Sequence, residues 1–188
     1  MNQKNSAKEN IVTVVFAALI FMGVRFLRIP YPFSSGEQFL HLGYVFVALA
    51  VLNVDMVKAA AAALAGLILN SVLGGDFAAI PGILLCTIVS CLATGTLYGI
   101  WMDQDNMTPK EERAVMLKSV LLYGALSLLA DRAWTSWSLM HTGTKTGAAA
   151  IASICSAPPV ILNAVITVIG AAVLCLPVTV VCRRIVKE

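Results

Sequence analysis

A few polar and aromatic residues in this chain have the types needed to hold a small molecule. Asn70 and Asn163 each bring an amide that donates and accepts hydrogen bonds. Trp134 and Trp137 offer flat rings, and Arg132 and Lys145 offer positive charge suited to an anionic group. Tyr31, Gln38 and His41 add polar reach around a turn-rich stretch. Amides, indoles and a few charges within mostly apolar surroundings are the usual furniture of a ligand pocket.

The same inventory argues against catalysis. A nucleophilic serine needs a base within reach, and the only histidines are His41 and His141. There is no HExxH motif and no phosphate-cradling glycine loop. Gly74-Gly75-Asp76 reads as a turn. The five cysteines form no CxxC pair, so neither a metal site nor a cofactor is expected, and four of them lie in apolar runs where cysteine acts as a small hydrophobe. A net charge of +3 is too small to suggest nucleic acid.

The elements that must position these residues are six long apolar stretches. They run over about residues 11–29, 39–54, 57–73, 78–101, 115–130 and 159–182. A membrane span takes about 20 mostly apolar residues. With a mean hydropathy of +0.87 and 12% charged residues, the chain could not cover itself against water. The expected fold is an all-α integral membrane protein, with six transmembrane helices in a single membrane domain over residues 1–188. The first stretch follows a polar tail, residues 1–10, and lacks a cleavage site, so it is expected to be a retained helix. With six spans, nine of the thirteen lysines and arginines fall on the side of both termini, leaving Arg25, Arg28, Arg132 and Lys145 opposite. The positive-inside rule then places both termini in the cytoplasm of a multi-pass cell-membrane protein.

Helix faces refine the picture. Ala59, Ala63, Gly66 and Asn70 share one face of the third stretch, a small-residue ridge that lets backbones approach closely. Asn70 near its outer end bonds either to a neighbouring helix or to a ligand. Cys86, Ser90 and Thr94 form a weak polar stripe facing neighbours. Asn163 sits about one turn from the outer end of the sixth stretch, so the two amides share a depth and suggest an outward-facing pocket. The third outer joint, with Asp131, Arg132, Trp134, Trp137, His141 and Lys145, would lie above it. Its tryptophans are either interface anchors or a stacking platform. Asp131 and Arg132 are expected to pair at the rim. The first outer joint, Tyr31 to Gln38, is turn-rich and expected to act as a lid. On the inner side, Thr108, Pro109 and Glu111 spell a capped helix start. No buried acid sits mid-span to couple transport to an ion.

Two motifs carry a resemblance. His41-Leu42-Gly43-Tyr44-Val45-Phe46 opens the second stretch, and Asn70-Ser71-Val72-Leu73-Gly74-Gly75 closes the alanine-rich third. Together with Asn163 in the last stretch, they resemble the S component, the substrate-binding subunit, of energy-coupling factor (ECF) vitamin transporters, riboflavin-type group. The resemblance runs over about residues 40–185. It implies a six-helix protein that binds a vitamin or precursor from outside, and it implies as partners a membrane T component and two cytoplasmic ATPases that supply the energy. Asn70 stands where the family often has Asp, no Lys stands near Leu85 to Thr87, and the AxxxA of the family's first span is here Thr13-Val-Val-Phe-Ala17. Riboflavin, a pyrimidine precursor, pantothenate and related heterocycles all remain open as ligands. The competing expectation is a non-transporting structural or interaction protein of the cell envelope, whose interior would be filled by its own side chains. An intramembrane enzyme would need a catalytic group at depth, where the stretches offer only amides and hydroxyls.

Overall fold

The structure is a computed structural model that describes residues 3–30, 39–104, 107–156 and 158–187. Among the described residues are seven α-helices, one small hairpin and a single 3-10 turn (Phe77–Ala79): α1 (Gln3–Arg25), β1 (Arg28–Pro30), β2 (Phe39–His41), α2 (Gly43–Asn53), α3 (Met56–Gly74), α4 (Ile80–Met102), α5 (Pro109–His141), α6 (Thr146–Cys155) and α7 (Pro158–Lys187). Glu9 of α1 pairs with Lys58 at the start of α3 at 2.6 Å, and Arg183 of α7 pairs with Glu112 at the start of α5. Both chain ends therefore lie at one end of the bundle, the terminal end. The hairpin lies at the other.

The all-α membrane bundle is as the hydropathy predicts, but the second span differs from expectation. Five helices are long and apolar enough to cross a membrane: α1, α3, α4, α5 and α7. The stretch 39–54 is not one helix. Its first residues form β2, which pairs antiparallel with β1 in the register Arg28↔His41, Ile29↔Leu40 and Pro30↔Phe39. Only 11 residues remain for α2, about 16 Å of helix against a hydrocarbon core of about 30 Å. Gly43, Val45 and every residue from Val47 to Leu52 are buried. A helix apolar all round belongs inside a protein, and α2 packs against α1, α3 and α7. Lipid-facing residues are instead on the long helices, such as Val14, Val173 and Val181.

The fifth span also differs. The stretch 115–130 does not give way to a long outer joint. Instead α5 runs 33 residues, to His141, and α6 occupies most of the chain between α5 and α7. Asp131, Arg132, Trp134 and Trp137 are thus helix residues, held by α5 rather than by a loop. At about 50 Å, α5 exceeds the hydrocarbon core and tolerates this polar last third. Its start is the expected one. The Thr108 side chain accepts from the Glu111 backbone N–H at 3.3 Å, and the Glu111 carboxylate accepts from the Thr108 backbone N–H at 2.8 Å.

The small-residue ridge of α3 sits against α1. Ala59 and Ala63 are fully buried. A Cβ added at Gly66 would lie 2.8 Å from the Ala17 carbonyl oxygen, so the two backbones meet at a spacing no side chain fits. Asp55 caps α3, accepting from the Val57 N–H at 2.9 Å. Gly75, with φ of 73°, ends it in the left-handed conformation that glycine adopts freely.

Candidate functional site

At the hairpin end, α1, β2, α2, α3, α4, α5 and α7 line a cavity of ≈ 380 Å³. That volume lies within the range of small-molecule sites, about 300–1,000 Å³. Of the residues expected to form a site, Asn70, Asn163, Trp134 and His41 line this one cavity. Trp137, Arg132 and Lys145 do not. Tyr31 and Gln38, with the expected lid between them, lie outside the described residues.

Asn163 projects from α7 and engages β2. Its Oδ1 accepts from the His41 N–H at 3.0 Å, and its Nδ2 donates to the Phe39 carbonyl at 3.2 Å. A primary amide carries two donors and two lone pairs, so part of its capacity remains for the cavity. Its clearest act is to fasten the hairpin to α7, which fixes His41 over the cavity. His41 Nδ1 is buried with no hydrogen-bond partner among the described residues. The ring lies 5.0 Å from that of Tyr44. β2 lies outside the spanning helices, and burial there holds the His41 pKa down at about 4. The imidazole is therefore neutral at physiological pH.

The polar stripe of α4 enters the same space. Cys86 and Ser90 line the cavity, with Thr94 buried a turn below. Ser90 is 1% exposed, and its hydroxyl finds no partner among the described residues. Buried polar groups are nearly always satisfied in native proteins, and each exception asks for a missing partner. Two such atoms, His41 Nδ1 and Ser90 Oγ, belong to residues that line one cavity.

Trp134 forms part of the wall next to α4. A Cβ at Gly82 would sit 2.4 Å from the indole Nε1, so the ring rests directly on the α4 backbone. Trp137 stacks outside it, ring centroids 5.0 Å apart, and His141 continues the row at 4.7 Å. Trp137 is 48% exposed and belongs to the surface.

Arg132, expected to face ligand, has its guanidinium occupied by protein. It pairs with Asp131 Oδ2, as expected, and donates to the Ser153 carbonyl at 2.8 Å and to the Ser156 hydroxyl at 3.0 Å. Ser153 returns a bond to the Arg132 carbonyl at 3.1 Å. This reciprocal set straps α6 onto α5. Lys145 is exposed at the N-cap of α6, away from the cavity.

Sequence reasoning missed Tyr44 and Tyr123, which also line the cavity. Tyr123 is a lone aromatic in an apolar run, and Tyr44 sits inside the His41–Phe46 motif with nothing in its spacing to single it out. The i, i+4 stripe of Cys86 and Ser90 is visible in the sequence, but its spacing alone suits a face toward neighbouring helices as well as one toward a cavity.

The family model for the ECF-type riboflavin transporter, S component, matches residues 4–179 of the chain. No curated protein and no solved structure matches it. The match spans the whole bundle, from α1 through most of α7, and includes every element that lines the cavity. This multi-pass membrane protein belongs to the family of ECF-type riboflavin transporter S components.

Proposed function

We propose that the chain is the substrate-binding subunit of an ECF-type importer and captures riboflavin, or a close ring analogue, in the cavity beneath the hairpin. The single observation that supports this most is the cavity lined by His41 and Ser90, whose Nδ1 and Oγ find no partner among the described residues, in a chain matched by that family model. Trp134 offers a flat apolar face to a fused ring, and Asn70 offers an amide edge. The termini lie in the cytoplasm and the cavity opens outward, in keeping with the bias of lysine and arginine. A T component and two ATPases supply the energy, since this chain carries neither a phosphate loop nor a coupling acid at mid-span.

The test is a riboflavin titration of the purified full-length protein, followed by quenching of flavin fluorescence, with mass spectrometry of any molecule that co-purifies. Saturable binding, together with uptake that vanishes in cells lacking the ATPases, is the expected result. No binding of riboflavin, with a chemically unrelated molecule co-purifying, would overturn the ligand assignment. A terminal fusion reporter active outside the cell would overturn the orientation.

A further inference from the structure

The charges around the cavity are one-sided. Among the described residues that line it, the charged side chains are Asp76 and Asp131, and no lysine or arginine joins them. Arg132 is close in sequence, but its two contacts to Asp131 both fall on Oδ2, and its other donors go to α6. Asp131 Oδ1 receives no bond from a described residue. Asp76, on the turn after α3, forms no ion pair among the described residues. His41, which also lines the space, is neutral and adds no positive charge.

We propose that Asp131, reinforced by Asp76, is the specificity-determining residue of this cavity. It selects a ligand in its uncharged, hydrogen-bond-donating form and rejects the phosphorylated form. The inference rests on the binding role proposed above and names the charge of its substrate. A carboxylate oxygen only accepts hydrogen bonds, so it rewards a ring N–H or a hydroxyl. A phosphate monoester brings a charge of about −1.5 to −2 and needs cations or N–H donors to replace water. Here it would meet carboxylate charge, with no cation among the described lining residues to replace its water. The unpartnered Ser90 hydroxyl and His41 Nδ1 are independent signs that polar ligand atoms belong in this space. Both suit neutral hydrogen bonding, and neither offers a phosphate a positive charge.

Two measurements on the full-length protein in an uncharged detergent test this. The first compares riboflavin with riboflavin 5′-phosphate by fluorescence quenching. The parent should bind the phosphate ester about a hundredfold more weakly, and Asp131→Asn should shrink that ratio to about tenfold or less. A ratio unchanged by Asp131→Asn overturns the proposal. The second needs no ligand. Cys86 lines the cavity, whereas Cys155 is exposed on α6. Modification rates with cationic and anionic methanethiosulfonate reagents, read by peptide mass, give a charge preference at each thiol. Cys86 should favour the cation about tenfold more than Cys155 does, and Asp131→Asn and Asp76→Asn should each reduce that excess. Asp76→Asn alters an exposed turn and reads the same field should Asp131→Asn fail to fold. No excess at Cys86 in the parent overturns the charge selectivity. An intact excess in a parent that ignores riboflavin would leave the selectivity standing and sink the ligand assignment instead.

Discussion

Replacing Asn163 by alanine removes two bonds that cross from α7 to β2, at 3.0 and 3.2 Å. Net contributions of such bonds run to about 1 kcal/mol each, more where a partner is left buried and unsatisfied. The two together amount to about 2 kcal/mol, or about a thirtyfold shift toward a detached hairpin. The global fold should survive, because the packing of α7 against α2 and α5 does not depend on this amide. Hydrogen exchange followed by mass spectrometry should show the segment around His41 losing protection in Asn163→Ala, while α3 remains protected. Riboflavin affinity should fall about tenfold or more, since His41 is no longer held at the cavity. Asn163→Asp gives the control: it keeps the acceptor for the His41 N–H but sets a carboxylate against the Phe39 carbonyl, so the hairpin should still loosen. Unchanged exchange near His41 in both variants would refute the clasp, and weakened binding would then belong to direct amide–ligand contact.

Gly82→Val should displace the Trp134 ring and lower ligand affinity with little change in melting temperature; an unchanged Kd would mean that the indole does not shape the site. Thr108→Ala should cost about 1 kcal/mol through loss of the α5 cap, seen as a lower melting temperature with ligand affinity intact. Burial holds the folded His41 pKa at about 4, against an ordinary value of 6.5. The unfolded chain therefore binds a proton over that interval and the folded one does not. Stability should fall as pH drops from about 6.5 to about 4, and His41→Gln should flatten part of that slope; melting curves that run parallel with pH would refute the burial argument.

What the sequence disclosed was local. The Thr108–Glu111 box needs only four consecutive residues, and it forms where the sequence puts it. The Ala59, Ala63 and Gly66 ridge is a matter of helical spacing within one segment. Failures came where three dimensions decide. The unbroken apolar run 39–54 has no period to show where strand yields to helix, so by length alone it suits a span. Asp131 and Arg132 resemble the start of a loop because polarity usually marks the membrane boundary, yet a helix of 33 residues simply continues past it. The partners of Asn163 lie over a hundred residues away on the backbone of β2, and no pattern around residue 163 announces them. Asn70 and Asn163 stood out in the sequence as amides in apolar runs, and both line the cavity. The preference of Arg132 for α6 was not, because it depends on where Ser153 and Ser156 return.

The shortness of α2 bears on how this protein is made. A segment entering the bilayer during synthesis is judged by how much apolar length it offers to lipid, and the 11 residues of α2 fall well short of the usual number, about 20. With no lysine, arginine or acid in that helix to anchor either end, α2 has little to orient it alone. Its resting place is the interior formed by α1, α3 and α7, and α7 is synthesised last. The segment must therefore be carried in by its neighbours, most directly as one unit with α1 and α3, whose ends are joined through Glu9 and Lys58. Until α7 arrives, one flank of α2 stays uncovered, and the hairpin lacks the amide that later fastens it. Assembly of the binding end is thus the closing event of biogenesis, and a chain truncated before residue 158 would be inserted yet unfinished.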